Sequence, residues 1–177
     1  MTHRTSKPCS HSRTMMTDLV FPGDANDHGT IFGGKVMAAI DKVASIASVR
    51  HCRLPVVTAS SDNLDFRKPI KVGQAMMIEA FVTWTHRSSM EVYVKVRSEN
   101  LYTGELKTTS TSFLTFVAID EQGKPTPVPA VYPETDEEKR LFETAPQRYE
   151  QRKKSRQDHS YLEQEHESNE GGKKNEI

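Results

Sequence analysis

Cysteine is scarce. Cys9 and Cys52 are the two in 177 residues, too few and too far apart for the disulfide framework of a small secreted domain. No signal-peptide pattern opens the chain, so a reducing, cytoplasmic compartment is expected. No apolar run approaches the roughly 20 residues that span a bilayer and no lipidation pattern appears, so membrane insertion is not expected. Charge of one sign is lacking too: 24 Lys and Arg balance 24 Asp and Glu. A chain without a global field is not drawn to nucleic acid or to an anionic surface.

Several catalytic patterns are absent as well. There is no Gly-x-Ser-x-Gly elbow for a serine hydrolase, no His-Glu-x-x-His zinc helix and no Cys-x-x-Cys pair. His159 and His166 fall in a charged tail where no metal site is expected. Gly29, Gly34 and Lys35 nearly spell a phosphate-cradling loop, but Val36 stands where that loop needs Ser or Thr. The turn-like segment before it, from Pro22 to His28, is not the buried strand such a loop follows.

The apolar residues that are present concentrate between Val20 and Ile119, enough for one domain with a real core. Three segments are therefore expected: a disordered N-terminal arm over residues 1–13, one domain over 14–130, and a charged C-terminal extension over 131–177 that is partly helical or disordered. In the extension, residues 134–156 predict a charged helix with Leu141 and Phe142 as its few apolar contacts, and residues 157–177 read as disordered.

One stretch organises the domain, from Asn26 to Ser48. At ~100° per residue, Val36, Ile40, Val43 and Ala47 form one apolar seam. The opposite face carries Gly34, Ala38, Asp41, Ser45 and Ser48, small residues around a single strong charge, so both long faces of the helix are expected to be covered. Thr30 is a candidate cap, and Gly33 and Gly34 weaken the first turn by roughly 1 kcal/mol each relative to Ala. Bare N–H groups at that terminus, aimed at an approaching oxygen, are a reason for glycine there.

Strands follow. Met15–Phe21 and Val56–Phe66 read as strands, then Met76, Ile78, Ala80, Val82 and Trp84 share one face. Met90, Val92, Val94 and Val96 alternate with Glu91, Tyr93, Lys95 and Arg97, and Leu106–Ile119 closes the set. Connections at 87–89 and 102–105 are too short for parallel crossovers, so these last strands form an antiparallel meander. The fold class is α+β, with a twisted antiparallel sheet wrapped around one long central helix as its only cover.

Asn26 and Asp41 bracket the helix-terminal N–H groups. A carboxylate to take a proton from water, an amide to orient that water and backbone donors for an oxyanion are equipment for adding water to a carbonyl. The plain alternative is that Asn26 makes an Asx turn and Asp41 pairs with Lys42 or Lys35; local physics leaves both open. His51 and Cys52, adjacent on a helix, point about 100° apart and form no nucleophile and base pair. Trp84, Tyr93 and Phe113 read as core or interface side chains.

Four separated runs carry a resemblance: Phe21–Asp41, Val56–Phe66, Ser88–Val92 and Thr115–Asp120. Together they resemble the hotdog-fold acyl-CoA thioesterases, over roughly Met15 to Pro129. The resemblance implies a sheet of five or six strands around the helix, a dimer, and commonly a hexamer made of three dimers. It implies a site between subunits, with Asn26 from one and Asp41 from its partner, Asp41 being general base or nucleophile. Gly34 would polarise the thioester carbonyl through its N–H, and Gly33 would permit that approach.

Coenzyme A, as part of the substrate, would then pass Ser88, Ser89 and Met90, with Arg67, Lys68 and Arg87 as candidates for its phosphates. No metal and no redox cofactor are implied. Many relatives place histidine before the glycine pair, where this chain has Phe32. The reaction implied is hydrolysis of acyl-CoA to fatty acid and coenzyme A. Two alternatives are an acyl-CoA-binding sensor of the same fold and a hydroxyacyl-thioester dehydratase; the sensor usually carries a separate DNA-binding unit, for which residues 1–13 are too few.

Overall fold

A computed structural model describes residues 5–171, with side chains as far as Gln157. The strands are β1 (Ser6–Pro8), β2 (Thr14–Leu19), β3 (Val56–Ser61), β4 (Ala75–Thr85), β5 (Ser89–Asn100), β6 (Glu105–Ala118) and β7 (Ala130–Tyr132); the helices are α1 (Gly33–Cys52) and α2 (Asp136–Gly171). Five strands form one sheet in the order β2-β4-β5-β6-β3, antiparallel throughout. It curls around α1, and β1 pairs in parallel with β7 as a separate small ribbon.

The seam of α1 is buried as its spacing predicts: Val36, Ile40, Val43 and Ala47 meet the inward row Met90, Val92, Val94 and Val96 of β5 in one core. The N-cap of α1 is Phe32, with no side-chain cap bond, so Thr30 does not cap it. At the other end Arg53 takes a left-handed conformation (φ 60°) and donates its N–H to Val49 O at 2.8 Å, ending the helix before Pro55.

Three expectations are corrected. Residues 6–13 are not a disordered arm: β1 pairs with β7, and Cys9 and Ser12 are fully buried. Ser12 Oγ accepts the N–H of Val82 at 2.9 Å and donates to Cys9 O at 2.8 Å, and burial pushes the Cys9 thiol up to about 12. The second correction concerns Trp84. The register of β4 against β5 slips between Val82 and Trp84, and such a bulge turns later side chains to the other face. Trp84 therefore leaves the core row and packs on Tyr149 of α2 at 5.4 Å.

The third is the C-terminal extension. The helix expected over 134–156 forms, with Leu141 and Phe142 packed on the core, but its backbone continues to Gly171, and α1 is not the sheet's only cover, because α2 lies across the outer face. Thr135 and Glu138 form a capping box at its start: Glu138 N–H donates to Thr135 Oγ1 at 3.2 Å and Thr135 N–H donates to Glu138 Oε2 at 3.1 Å. Glu91 and Tyr93, outward on β5, are buried beneath it. Residues 1–4 and 172–177, and the side chains of His159 and His166, lie outside the described residues.

Candidate active site

The loop before α1 is built around Asn26. Its Oδ1 accepts the N–H groups of His28 at 3.0 Å and Thr30 at 3.3 Å and the Thr30 hydroxyl at 3.1 Å, the Asx turn that the residue type allows. The oxygen is consumed; Nδ2 has no partner among the described residues. Gly33 and Gly34 follow with N–H groups that the first helical turn leaves without an intrahelical acceptor. A Cβ on Gly33 would sit 3.4 Å from the Phe66 ring, whereas Gly34 faces open space. A cavity of about 310 Å³ is lined by Asn26, Gly33, Phe66, Lys68, Pro69 and Thr109 among others.

Asp41 lies two turns along α1, on the same exposed face as Gly34 and Ala38. Neither lysine neighbour takes it: Lys35 Nζ binds Asp24 Oδ1 at 2.5 Å and Gly23 O at 3.0 Å. That contact with Lys35, helped by the N–H of Phe21, holds the Asp24 carboxyl below its usual range. The partner of Asp41 is Thr58, whose hydroxyl donates to Oδ1 at 2.8 Å. Thr58 was not singled out from the sequence, since a threonine in a strand carries no local signal that a helix carboxylate meets it.

The small-residue face of α1 is open in the protomer, not covered. Gly34, Ala38 and Asp41 are exposed, and Met37 beside them is 52 % exposed. Ser48 alone of that stripe is fully buried, bonded to Ala44 O at 3.0 Å. β3 is a sheet edge, with Val57 45 % exposed. Asp41 and Thr58 do not line the cavity that holds Asn26, and the eight-residue rise from Gly33 to Asp41 is about 12 Å.

Of the other sequence candidates, Lys68 lines the Asn26 cavity, while Arg67 and Arg87 are exposed loop residues. Ser88 and Ser89 line a different cavity of about 460 Å³ at the far end of the strands, with Tyr149, Arg152, Lys153 and Arg156 of α2. Met90 faces the core and is fully buried. Its side chain is part of the packing against α1, which corrects its assignment as a substrate contact.

The fold and these positions can be set against known proteins. The family model of the thioesterase superfamily matches residues 28–105. The acyl-CoA thioester hydrolase YkhA of Bacillus subtilis is 54 % identical over 152 residues, covering 86 % of this chain and 88 % of its own. This chain belongs to the acyl-CoA thioester hydrolases. The hydrolase also superposes on a crystal structure of an apo-hexameric acyl-CoA thioesterase, with a TM-score of 0.84 and 57 % identity over 85 % of this chain and 97 % of that one.

An acyl-CoA hydrolase from Staphylococcus aureus, solved with butyryl coenzyme A, coenzyme A and coenzyme A disulfide, matches with a TM-score of 0.83 and 45 % identity over 89 % and 98 % of the two chains. That protein has also been solved with an asparagine, an aspartate or a threonine replaced by alanine. Those three positions are 15 and 17 residues apart. The same spacings separate Asn26, Asp41 and Thr58 in this hydrolase.

Proposed function

We propose that this hydrolase cleaves fatty acyl-CoA with Asp41, Thr58, Asn26 and the N–H of Gly34 as its working groups. The observation that carries the reading is the Thr58 hydroxyl on Asp41 Oδ1. It fixes the carboxylate and leaves Oδ2 to take a proton from water as that water attacks the thioester carbon. The pinned Oδ1 of Asn26 turns Nδ2 outward as a donor, suited to holding the same water. Gly34 N–H, at the positive end of α1, binds the carbonyl oxygen as negative charge develops there. The tetrahedral intermediate then expels the coenzyme A thiolate, which takes up a proton, and fatty acid remains. Water and the thioester balance the reaction, so no metal or redox cofactor is called for.

Asn26 and Asp41 occupy separate parts of one protomer, so in this reading each site takes Asn26 from one subunit and Asp41 from its partner. The open face of α1 and the free edge of β3 are the surfaces such a pairing would cover; assembly of three dimers into a hexamer is the expected full state. Coenzyme A would run in the groove between subunits, with Lys68 at one end and Ser88 and Ser89 at the other. The cytoplasm is the expected compartment; among the described residues no helix is long and apolar enough to cross a membrane.

The deciding experiment measures thiol release from acyl-CoAs of increasing chain length by the parent, Asp41→Ala and Asn26→Ala. A fall in kcat of about a hundredfold or more in Asp41→Ala is the scale of a lost general base. Binding of acyl-CoA without turnover in the parent would replace this reading with the sensor.

A further inference from the structure

Two arginines of α2 reach the strand that carries Thr58. Arg152 donates through Nη1 to Asp62 Oδ2 at 2.9 Å and through Nη2 to Glu91 Oε2 at 2.7 Å. One turn on, Arg156 Nη2 donates to Ser60 Oγ at 3.2 Å. Ser60 lies two residues after Thr58 and Asp62 four, just past the end of β3, and between Thr58 and Ser60 the register of β3 against β6 slips. A bulge sets the direction of the side chains beside it. Here the neighbouring side chain is the hydroxyl that meets Asp41.

The anchor for these contacts is fixed. Glu91 is 2 % exposed and takes Arg148 Nε at 3.0 Å, Arg148 Nη2 at 2.7 Å and the Thr83 hydroxyl at 2.9 Å. Arg148 itself lies over the Phe113 ring, 3.9 Å from its centroid. By contrast β3 is mostly exposed along its length and has a strand on one side only. Arg152 is the direct link between the two: one edge of its guanidinium sits on the buried carboxylate and the other on Asp62, whose own N–H donates to Phe113 O at 2.8 Å.

We propose that Arg152 is a positioning residue for thioester hydrolysis: through Asp62, with Arg156 acting on Ser60, it holds the β3 bulge and thereby the Thr58–Asp41 hydrogen bond. This rests on the roles given above to Asp41 and Thr58. Arg152 contacts neither of them and touches no reacting atom. A charged tail that looks like solvated surface is, in this account, the outer clamp of the active-site edge.

The test uses Arg152→Met, Arg152→Lys and Asp62→Asn in the full chain, reading kcat and KM on one acyl-CoA, Tm, and deuterium uptake over residues 56–66. Arg152→Met is expected to lower kcat about tenfold, within the range that small misplacements of reacting groups produce; KM is read separately, because Arg152 also lines the cavity with Ser88 and Ser89. Uptake over 56–66 rises while uptake over β5 does not. Arg152→Lys restores most of kcat, and adding Asp62→Asn to Arg152→Met brings no further loss, as expected for two ends of one contact.

An unchanged kcat with a lowered Tm overturns the proposal and leaves the contact as a fastening for α2. Unchanged uptake over 56–66 overturns it as well. Should Arg152→Met fail to fold, Asp62→Asn weakens the same link by replacing a charged acceptor with a neutral one, while Arg148 and Thr83 keep Glu91 paired. Its kcat and uptake over 56–66 should then move in the same direction as expected for Arg152→Met. A parent without hydrolysis would remove the reading of the site, but the uptake data would still decide whether Arg152 holds β3.

Discussion

The two helices cover opposite faces of one sheet by different physics. α1 buries an apolar seam, and what holds it is area removed from water along Val36, Ile40, Val43 and Ala47. α2 has a smaller apolar contact, Leu141 and Phe142 on the core with Ala145 fully buried, and adds to it a set of ion pairs. Arg148 and Arg152 converge on Glu91, Lys95 Nζ meets Glu137 Oε1 at 2.6 Å, and Arg13 bridges Glu79 and the buried Glu138. An apolar seam is tolerant of small changes in geometry, whereas buried ion pairs fail steeply when one member is lost. The sheet thus has a forgiving inner cover and an exacting outer one.

That contrast breaks most visibly at Glu91. Glu91→Ala leaves two arginine side chains aimed at an empty place under α2, and the expected loss is about 3–5 kcal/mol in chemical denaturation, the scale for removing one partner of a buried pair. A loss under about 1 kcal/mol would mean that α2 contributes little to the folded state. Ile40→Ala probes the inner cover. Its expected loss is smaller, about 2–4 kcal/mol, because the cavity it leaves is apolar and partly closes. If Ile40→Ala proved the more damaging, the ranking of the two covers would be reversed.

How much of this was legible in the sequence follows the same division. The seam of α1 and the alternation of β5 are local periodicities, and the buried seam and the inward row came out as the spacing predicts. The docking of α2 is not local. Arg148, Arg152 and Arg156 recur every four residues, a stripe visible in the sequence, but its partners Glu91, Asp62 and Ser60 are at least 57 positions away, and a row of arginines reads first as solvated surface. Thr58 was missed for the same reason, since its meaning lies in Asp41 on another element. β1 is three residues long and gains order from β7, from Lys7 Nζ on His51 O and from the burial of Cys9, none of which composition reveals. Asn26 and Asp41 stand out in the sequence because they bracket a glycine-rich helix start, with Asp41 the one strong charge on a face of small residues.

The smallest expected effect sits at the start of α2, and it sharpens the comparison because the ion pairs of the outer cover should respond to acid whereas the apolar seam of α1 should not. Burial alone would raise the Glu138 carboxyl, but the N–H groups of Glu134 and Thr135, together with Arg13, outweigh it and hold the group below its ordinary value of 4.5. A carboxyl depressed in the folded state contributes stability that is fully present above its unfolded value and is lost as pH falls through the folded one. Unfolding followed from pH 7 down through the acid range should therefore lose stability more steeply in the parent than in Glu138→Gln, the two curves converging at the acid end. Parallel curves would show that Glu138 is no better bound as carboxylate than as acid. Convergence accompanied by early deuterium uptake in 134–142, while 36–47 stays protected, would locate the loss at the outer helix and leave the apolar seam untouched.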